Sequence, residues 1–440
     1  SWQEMIQMIK SIRVQLLPNN KQNTKLFQFA GAARYAYNWA LSKQMDNFRE
    51  GHKIQTDNDL RREFTILRHS EGSEWLQDVS NNVTKQAIKD LCIAYKNFFR
   101  KQKQPGYIKY SSKKIAHYNR IGKSLTVYDM NGHPKFRSKK NGDFRFYQDN
   151  VKIQFTGTHV KLESLAGSRR KNRQRLNWIR LAEKNRIPVR AKYANPRIAF
   201  DGERWWLSVG IQTARKLKPL RVLLFVCKKR RYVRSEGIGI DLGIKDLAVL
   251  SDATKVRNIN KTRAIRRLKK KRRRLQRQVS RKYQMNKKGE CYCKTSNLIK
   301  SEKRLLRINH RLAHIRQNHV HQATSAIIKR KPSFICLEDL NVRGMMKNRY
   351  LSEKIQEQNL YEFRRQIEYK ARWAKISVII ADRWYPSSKT CVICGHVKKD
   401  LNLSERTYVC PVCGNIIDRD FQAALNLKYY GEAEQMKSAS

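Results

Sequence analysis

Seven side chains carry spacing that chemistry can use. Four are thiols: Cys391-x2-Cys394, fifteen intervening residues, then Cys410-x2-Cys413, each pair followed by a glycine. Two such knuckles bring four thiolates around one tetrahedral Zn²⁺, and an ion with no open coordination position holds shape and does no catalysis. Its binding supplies about 10 to 16 kcal/mol of local folding free energy. The other three are carboxylates at the ends of apolar runs. Asp241 sits in Gly237-Ile238-Gly239-Ile240-Asp241-Leu242-Gly243, Glu338 ends Phe334-Ile335-Cys336-Leu337, and Asp420 opens a short helix, Phe421 to Leu427. A single acid at a strand end is ordinarily a cap or an ion-pair partner. Three together suggest more, because isolated buried carboxylates are costly whereas a cluster is stable around divalent cations. Two ions about 3.5 to 4 Å apart activate water and stabilise a leaving oxygen, the chemistry of phosphodiester hydrolysis.

The remaining cysteines read as core thiols (Cys92, Cys227, Cys336) or loop residues (Cys291, Cys293). His310 and His314 have the i, i+4 spacing of a metal-binding helix, with His319 and His321 following, but no glutamate follows His310 and the reading is surface or phosphate contact. Asp246 and Asp339 neighbour the acidic set and read as orienting or capping residues. Trp205 and Trp206 alternate on one strand, which places one in the core and leaves the other partly exposed.

The elements that must position these groups follow from periodicity. Ile9 to Leu17 reads as a strand, and residues 1 to 7 lie outside the folded body. From Lys21 the apolar residues Leu26, Phe29, Ala30, Ala33, Ala36 and Trp39 recur at helical spacing, and Ile88, Leu91, Tyr95 and Phe98 repeat the pattern. Near Tyr107 the period changes to short strands with turn signals at Asn131-Gly132, Asn141-Gly142 and Asp201-Gly202, interrupted by a basic loop, Ser168 to Arg175. Between Lys261 and Lys282, 13 of 22 residues are Lys or Arg over a thin stripe of Ile265, Leu268, Leu275 and Val279. Such a helix is about 33 Å long and packs by one edge. A second amphipathic helix follows through Leu305, Ile308, Leu312, Ile315 and Ala323.

Composition bounds the partners. The 440 residues suffice for roughly three domains, and Lys plus Arg number 95 against 36 acids, a formal charge of +59 on a chain that is 40% apolar. That excess matches about 100 Å of duplex, so the partner is nucleic acid; a ribosomal or chromatin protein would share this composition. The run Val222 to Cys227 falls far short of the roughly 20 residues that span a bilayer, no signal-peptide core opens the chain, and paired cysteines suit a reducing compartment. A soluble, intracellular protein with no membrane partner is expected.

Gly239-Ile240-Asp241-Leu242-Gly243, Leu337-Glu338-Asp339-Leu340, the cysteine pairs introduced by Ser387-Ser388-Lys389-Thr390, and Asp418-Arg419-Asp420-Phe421-Gln422-Ala423-Ala424-Leu425-Asn426 together resemble the split RuvC nuclease domain of the TnpB family. These are transposon-encoded, RNA-guided DNA endonucleases related to compact type V CRISPR effectors. Pro134-Lys135-Phe136-Arg137 and the Trp205-Trp206 hairpin extend the likeness upstream, making it nearly full-length. The resemblance implies a multidomain α+β fold: a β-barrel wedge domain (1–20 and 116–232) with an inserted helical recognition domain (21–115), then an RNase H-like nuclease domain (233–385 and 417–440) carrying a zinc ribbon (386–416). It also implies that Asp241, Glu338 and Asp420 hold a Mg²⁺ pair. Asp420 is preferred to Asp418 because the family pattern is Asp-x-Asn-Ala-Ala, although Gln422 stands here in place of that asparagine. Guide RNA and target double-stranded DNA are the expected partners, with Arg266, Lys270, Arg273 and Arg277 contacting phosphates, in a cytoplasmic, nucleoid-associated protein. Two other readings compete: a nuclease-inactive RNA-guided repressor, and a guide-independent RNase H-like nuclease or transposase.

Overall fold

Ile12, Val14 and Leu16 alternate with Ser11, Arg13 and Gln15, and the segment folds as strand β1 (Gln7–Leu17) with its apolar side chains toward the core. The computed structural model describes residues 7–139, 142–163, 165, 175–214, 236–289, 291–402 and 405–439. Residues 1–6, Asn141, all but the last residue of the basic loop 168–175, the apolar run 222–227 with Cys227, and the 232/233 boundary lie outside them. The chain divides into two units, Ser1–Leu224 and Phe225–Ser440.

In the first unit β1 joins β2 (Arg145–Tyr147), β3 (Gln154–Phe155), β4 (His159–Lys161), β5 (Trp178–Leu181), β6 (Lys192–Phe200) and β7 (Trp205–Ala214) in an antiparallel sheet of order β2-β6-β7-β1-β5-β4-β3. The Asp201-Gly202 turn joins β6 to β7 as expected. Gly202 has φ +93°, and the Asp201 carboxylate accepts the N–H groups of Glu203 and Arg204. Four helices are inserted between β1 and β2: α1 (Asn20–Arg49), α2 (Asp57–His69), α3 (Asn81–Gln102) and α4 (Ser112–Arg120). A capping box of Asn19 and Gln22 starts α1. Its Phe27 and Phe29 pack against Phe144, Phe146, Phe200 and Trp205, so helices and sheet share one core.

One expectation fails here. Strands do not begin near Tyr107; residues 112–120 are helical and the next strand is β2. Lys114 and Tyr118, one helical turn apart, both reach the Asp129 carboxylate, at 2.9 and 2.7 Å. That partner lies beyond the reach of a local pattern. Asn131-Gly132 makes a turn with Gly132 at φ +88°, but no strands flank it.

The second unit is built on β8 (Ile238–Leu242), β9 (Asp246–Leu250) and β10 (Lys255–Arg257), an antiparallel meander. After it come α5 (Arg263–Met285), a small hairpin of β11 (Lys287–Lys288) and β12 (Cys291–Tyr292), and α6 (Ser296–Lys329). Strand β13 (Phe334–Glu338), short helices α7 (Val342–Met345) and α8 (Ser352–Gln358), α9 (Leu360–Ala374) and β14 (Ser377–Ala381) follow, giving a five-stranded sheet of order β10-β9-β8-β13-β14. Strands β8, β13 and β14 run parallel, and β8 and β13 are apolar almost throughout, as strands covered on both faces must be. The hairpin β15 (Thr407–Val409) and β16 (Ile416–Asp418) leads into α10 (Arg419–Ala439), which lies on the sheet.

Helix α10 approaches β8 so closely that Gly239 admits no side chain. A Cβ there would stand 2.1 Å from the Ala424 carbonyl oxygen and 2.4 Å from the Lys428 nitrogen, both backbone. Gly239→Ala is expected to lower the thermal stability of the second unit by about 3 kcal/mol or more. Gly31→Ala, inside α1 where a Cβ meets nothing within 4 Å, is expected to raise that of the first by about 0.5–1 kcal/mol. Calorimetric melts of both variants check the pair.

Candidate active site and metal centre

The contact that excludes a side chain at Gly239 also orients the acids. Residues 239 and 241 share a face of β8, so Asp241 points to the side on which α10 lies. Leu337 pairs with Ile240 across β13 and β8, and continuing that register by one residue sets Glu338 beside Asp241, about 4.8 Å away strand to strand. Gly431 lies over Phe334 and Cys336, and residues 424–428 over Gly239. Helix α10 therefore runs antiparallel to the strands, with its first turn, and Asp420, at their carboxyl ends.

Asp241 is enclosed enough that burial, followed by the charges of Asp420 and Glu338, raises its pKa from the ordinary carboxylate range to about 7, with Arg419 opposing. Burial, then Asp339, raises Glu338 as well. No described residue donates a hydrogen bond to either carboxylate or pairs with it. Asp420 faces Arg419 at 3.6 Å and Arg406 at 3.9 Å. The three carboxylates do not have ligand oxygens all within 4.8 Å of one another. One shared ion would need that closeness, whereas an ion pair spans about 8 Å from outer ligand to outer ligand.

Asp418 has another task. Its Oδ1 accepts the N–H groups of Asp420 and Phe421 at 3.0 and 3.1 Å, capping α10, and its Oδ2 takes Lys255 at 2.9 Å. Asp339 is occupied by Arg364 at 2.6 Å and Arg383 at 2.5 Å, which hold its carboxyl below the usual range. Asp246 opens β9. Gln422 is fully buried; its amide nitrogen reaches the Ser388 carbonyl at 3.5 Å, while its oxygen has no described donor. Asn426 donates to the Ser387 and Thr390 carbonyls at 2.7 Å each, tying α10 to the segment that enters the cysteine cluster.

That cluster is assembled. The sulfurs of Cys391, Cys394, Cys410 and Cys413 all lie within 4.8 Å of one another, with Cys391 to Cys413 at 3.6 Å and Cys394 to Cys410 at 3.5 Å. Four sulfurs about 2.3 Å from one ion stand about 3.8 Å apart, so the set fits a tetrahedral ion. The knuckles repeat each other. Gly395 donates to the Cys391 carbonyl and Gly414 to that of Cys410, with φ +72° and +71°. Burial disfavours the Cys391 thiolate, but the amides of Cys394 and Ile393 outweigh it and lower its pKa to about 6. Strand β16 joins this cluster directly to the first turn of α10.

Arg266, Lys270, Arg273 and Arg277 are all exposed along one face of α5. Sequence reasoning passed over their neighbours Lys269 and Arg272, which turn inward to Glu357 and Glu353. The rings of His310 and His314 lie nearly parallel with centroids 6.3 Å apart and join no metal-ligand group among the described residues. Trp205 is in the core; Trp206 is half-buried beneath Arg13. Cys336 is a core thiol, Cys92 is half-buried, and Cys291 and Cys293 are exposed. No described helix is long and apolar enough to cross a membrane.

Three family models match parts of the chain. Residues 229–349 match the family described as "Probable transposase", residues 361–427 the "Cas12f1-like, TNB domain", and residues 5–53 a "Helix-turn-helix domain". All three matches support the resemblance to the TnpB family. The "Putative RNA-guided DNA endonuclease InsQ" of Escherichia coli K12 is 26% identical, the alignment covering 97% of this chain and 93% of that protein. A Streptomyces pristinaespiralis protein, "Putative RNA-guided DNA endonuclease", is also 26% identical, over 98% and 91%. Among solved structures the mini-RNA-guided endonuclease CRISPR-Cas_phi3 aligns over 98% of this chain and 93% of its own at 12% identity, with a TM-score of 0.44, too low to argue a shared fold.

Because Asp241 keeps its proton more tightly folded than unfolded, its contribution favours the folded state at low pH and is lost as pH rises from about 4 through about 7. Without divalent cations, Asp241→Asn is expected to raise stability at pH 8 by up to about 4 kcal/mol and to change it little at pH 4. Thermal melts across that range check the sign.

Proposed function

We propose that this chain is an RNA-guided DNA endonuclease. It binds a structured guide RNA and cleaves target DNA beside a short flanking motif by Mg²⁺-dependent phosphodiester hydrolysis. The observation that carries the reading is the placement of Asp241 and Glu338 at the ends of adjacent strands, neither accepting a hydrogen bond nor an ion pair from a described residue, in a chain with 59 excess positive charges. Acids left unpartnered among so many lysines and arginines suit a doubly charged ion better than a salt bridge. Asp420, brought over them by α10, completes the set.

In this reading Asp241, Glu338 and Asp420 would hold two Mg²⁺ ions, which supply water activation and leaving-oxygen stabilisation when bound. The residues do the rest. Asp241 and Glu338 set the site at the carboxyl ends of β8 and β13, Arg406 and Arg419 flank Asp420, and Asp418 holds the first turn of α10 in place. The cysteine cluster takes Zn²⁺ and fixes the strand that leads into that turn. The exposed stripe of Arg266, Lys270, Arg273 and Arg277 contacts phosphates of the guide–target heteroduplex, positioning it while base pairing selects the sequence. The first unit corresponds to the β-barrel wedge domain with its helical insertion, the second to the RNase H-like nuclease domain with its zinc ribbon. The protein works in the cytoplasm, on nucleoid DNA.

The test expresses the chain with its flanking locus, sequences the RNA that copurifies, and measures plasmid cleavage with a matched guide. Cleavage should require a divalent cation. Asp420→Ala should reduce it about a thousandfold while RNA binding is unchanged, and Asp418→Ala should cleave but lose about 1 kcal/mol of stability with its cap. Full cleavage by Asp420→Ala would move the role to Asp418. Guide-dependent binding without cutting under any divalent cation would make the chain a repressor, and cutting without RNA a guide-independent nuclease.

A further inference from the structure

The turn that follows Asp241 is held from outside the sheet. Gln358, at the end of α8 and 3% exposed, donates its side-chain amide to two successive carbonyls of the β8–β9 connection, Gly243 at 3.1 Å and Ile244 at 3.2 Å. Asn258 donates to the second of these at 2.8 Å. These bonds lie two and three residues beyond Asp241, at the point where β8 must reverse.

The neighbouring residue anchors Gln358 in turn. Glu357, 8% exposed, receives Lys269 of α5 at 2.6 Å and Arg316 of α6 at 2.9 Å. Asn260 closes the set: its oxygen accepts from Arg316 at 2.8 Å, and its amide donates to the Glu357 carbonyl at 3.1 Å and lies 3.5 Å from the Gln358 side-chain oxygen. Asn359, with φ +55°, ends α8 in the left-handed region, so the chain leaves for α9 without disturbing the pair. Gln358, Glu357, Asn260, Lys269 and Arg316, five residues from four segments, thus form one network centred on two buried side chains, and it touches both long basic helices and the turn behind Asp241.

A buried ion cluster of this kind adds little stability over apolar packing, and its best-attested use is to fix one arrangement. Here the fixed arrangement is the distance between the basic helices and the acidic site. We propose that Gln358 is a positioning residue for the metal site, and that Glu357, gripped by Lys269 and Arg316, fixes Gln358 against α5 and α6. The acids then keep the geometry that divalent cations require. The proposal rests on the reading of Asp241 as a metal ligand.

The test uses the full chain with its copurified RNA and two readouts: the Mg²⁺ concentration for half-maximal cleavage, and the Mn²⁺ concentration for half-maximal thermal stabilisation. Gln358→Ala should raise both midpoints about tenfold, with cleavage at saturating Mg²⁺ reduced less than about threefold and RNA binding unchanged. Glu357→Gln, which keeps the shape and weakens the grip on Lys269 and Arg316, should shift both midpoints in the same direction by a smaller factor. Gln366→Ala, a comparably buried amide between α6 and α9, should lower the melting temperature and leave both midpoints in place. Midpoints within about twofold of wild type in Gln358→Ala would overturn the positioning role, and so would an equal shift in Gln366→Ala. A wild-type chain that answers to neither ion would overturn the metal-site reading itself.

Discussion

The second unit depends on one steric fact: the backbone of α10 rests on the backbone of β8. At 2.1 and 2.4 Å from where a Cβ of residue 239 would sit, the Ala424 and Lys428 main chain leaves room for glycine alone. Ala423 and Ala424 are small and buried for the same reason, and Gly431 meets Phe334 and Cys336 further along. A helix held this close has one available height and direction. That places its first turn over the carboxyl ends of β8 and β13, where Asp241 and Glu338 already stand. The cysteine cluster acts on the same turn from the other side, because β16 enters α10 without a linker and Asn426 binds the segment before Cys391.

Two acids of the site, Asp241 and Glu338, combine burial with the lack of an ion-pair partner. Several other carboxylates of this unit have cationic partners: Asp339 takes two arginines, Asp418 and Glu236 a lysine each, Asp252 an arginine, and Glu357 a lysine and an arginine. Asp241 and Glu338 have no ion pair among the described residues, and burial, followed by neighbouring acids, raises both in pKa. In a protein carrying +59, positive side chains are abundant, and it is at these two acids, side by side and without an ion pair, that the proposed reading puts another cation.

The features legible in the sequence were local. The cysteine pairs declared a cluster by spacing alone, and the sulfurs lie together. The apolar runs ending in Asp241 and Glu338 read as buried strands and are β8 and β13. The stripe of Ile265, Leu268 and Leu275 read as a helix edge and packs against Ile308, Leu312 and Ile315. What was hidden depends on residues far apart in the chain. Helix α4 owes its turn to Asp129, Gly239 is required by residues 424–428, and Lys269 faces Glu357 rather than solvent, though nothing in the run of basic residues marks it from Lys270. The capping role of Asp418 was readable in principle, since an aspartate just before a helix is a common cap, but the motif drew attention to its charge instead.

The measurement that bears most directly on the acidic site is a count of Mn²⁺ bound to zinc-loaded protein, followed by electron paramagnetic resonance, in wild type and in an Asp241→Asn, Glu338→Gln double variant. Two ions per chain in the wild type, close enough to couple magnetically, and none in the variant are the expected result. The same occupancy in both proteins, or none in either, would contradict the assignment and leave the three acids without a common purpose.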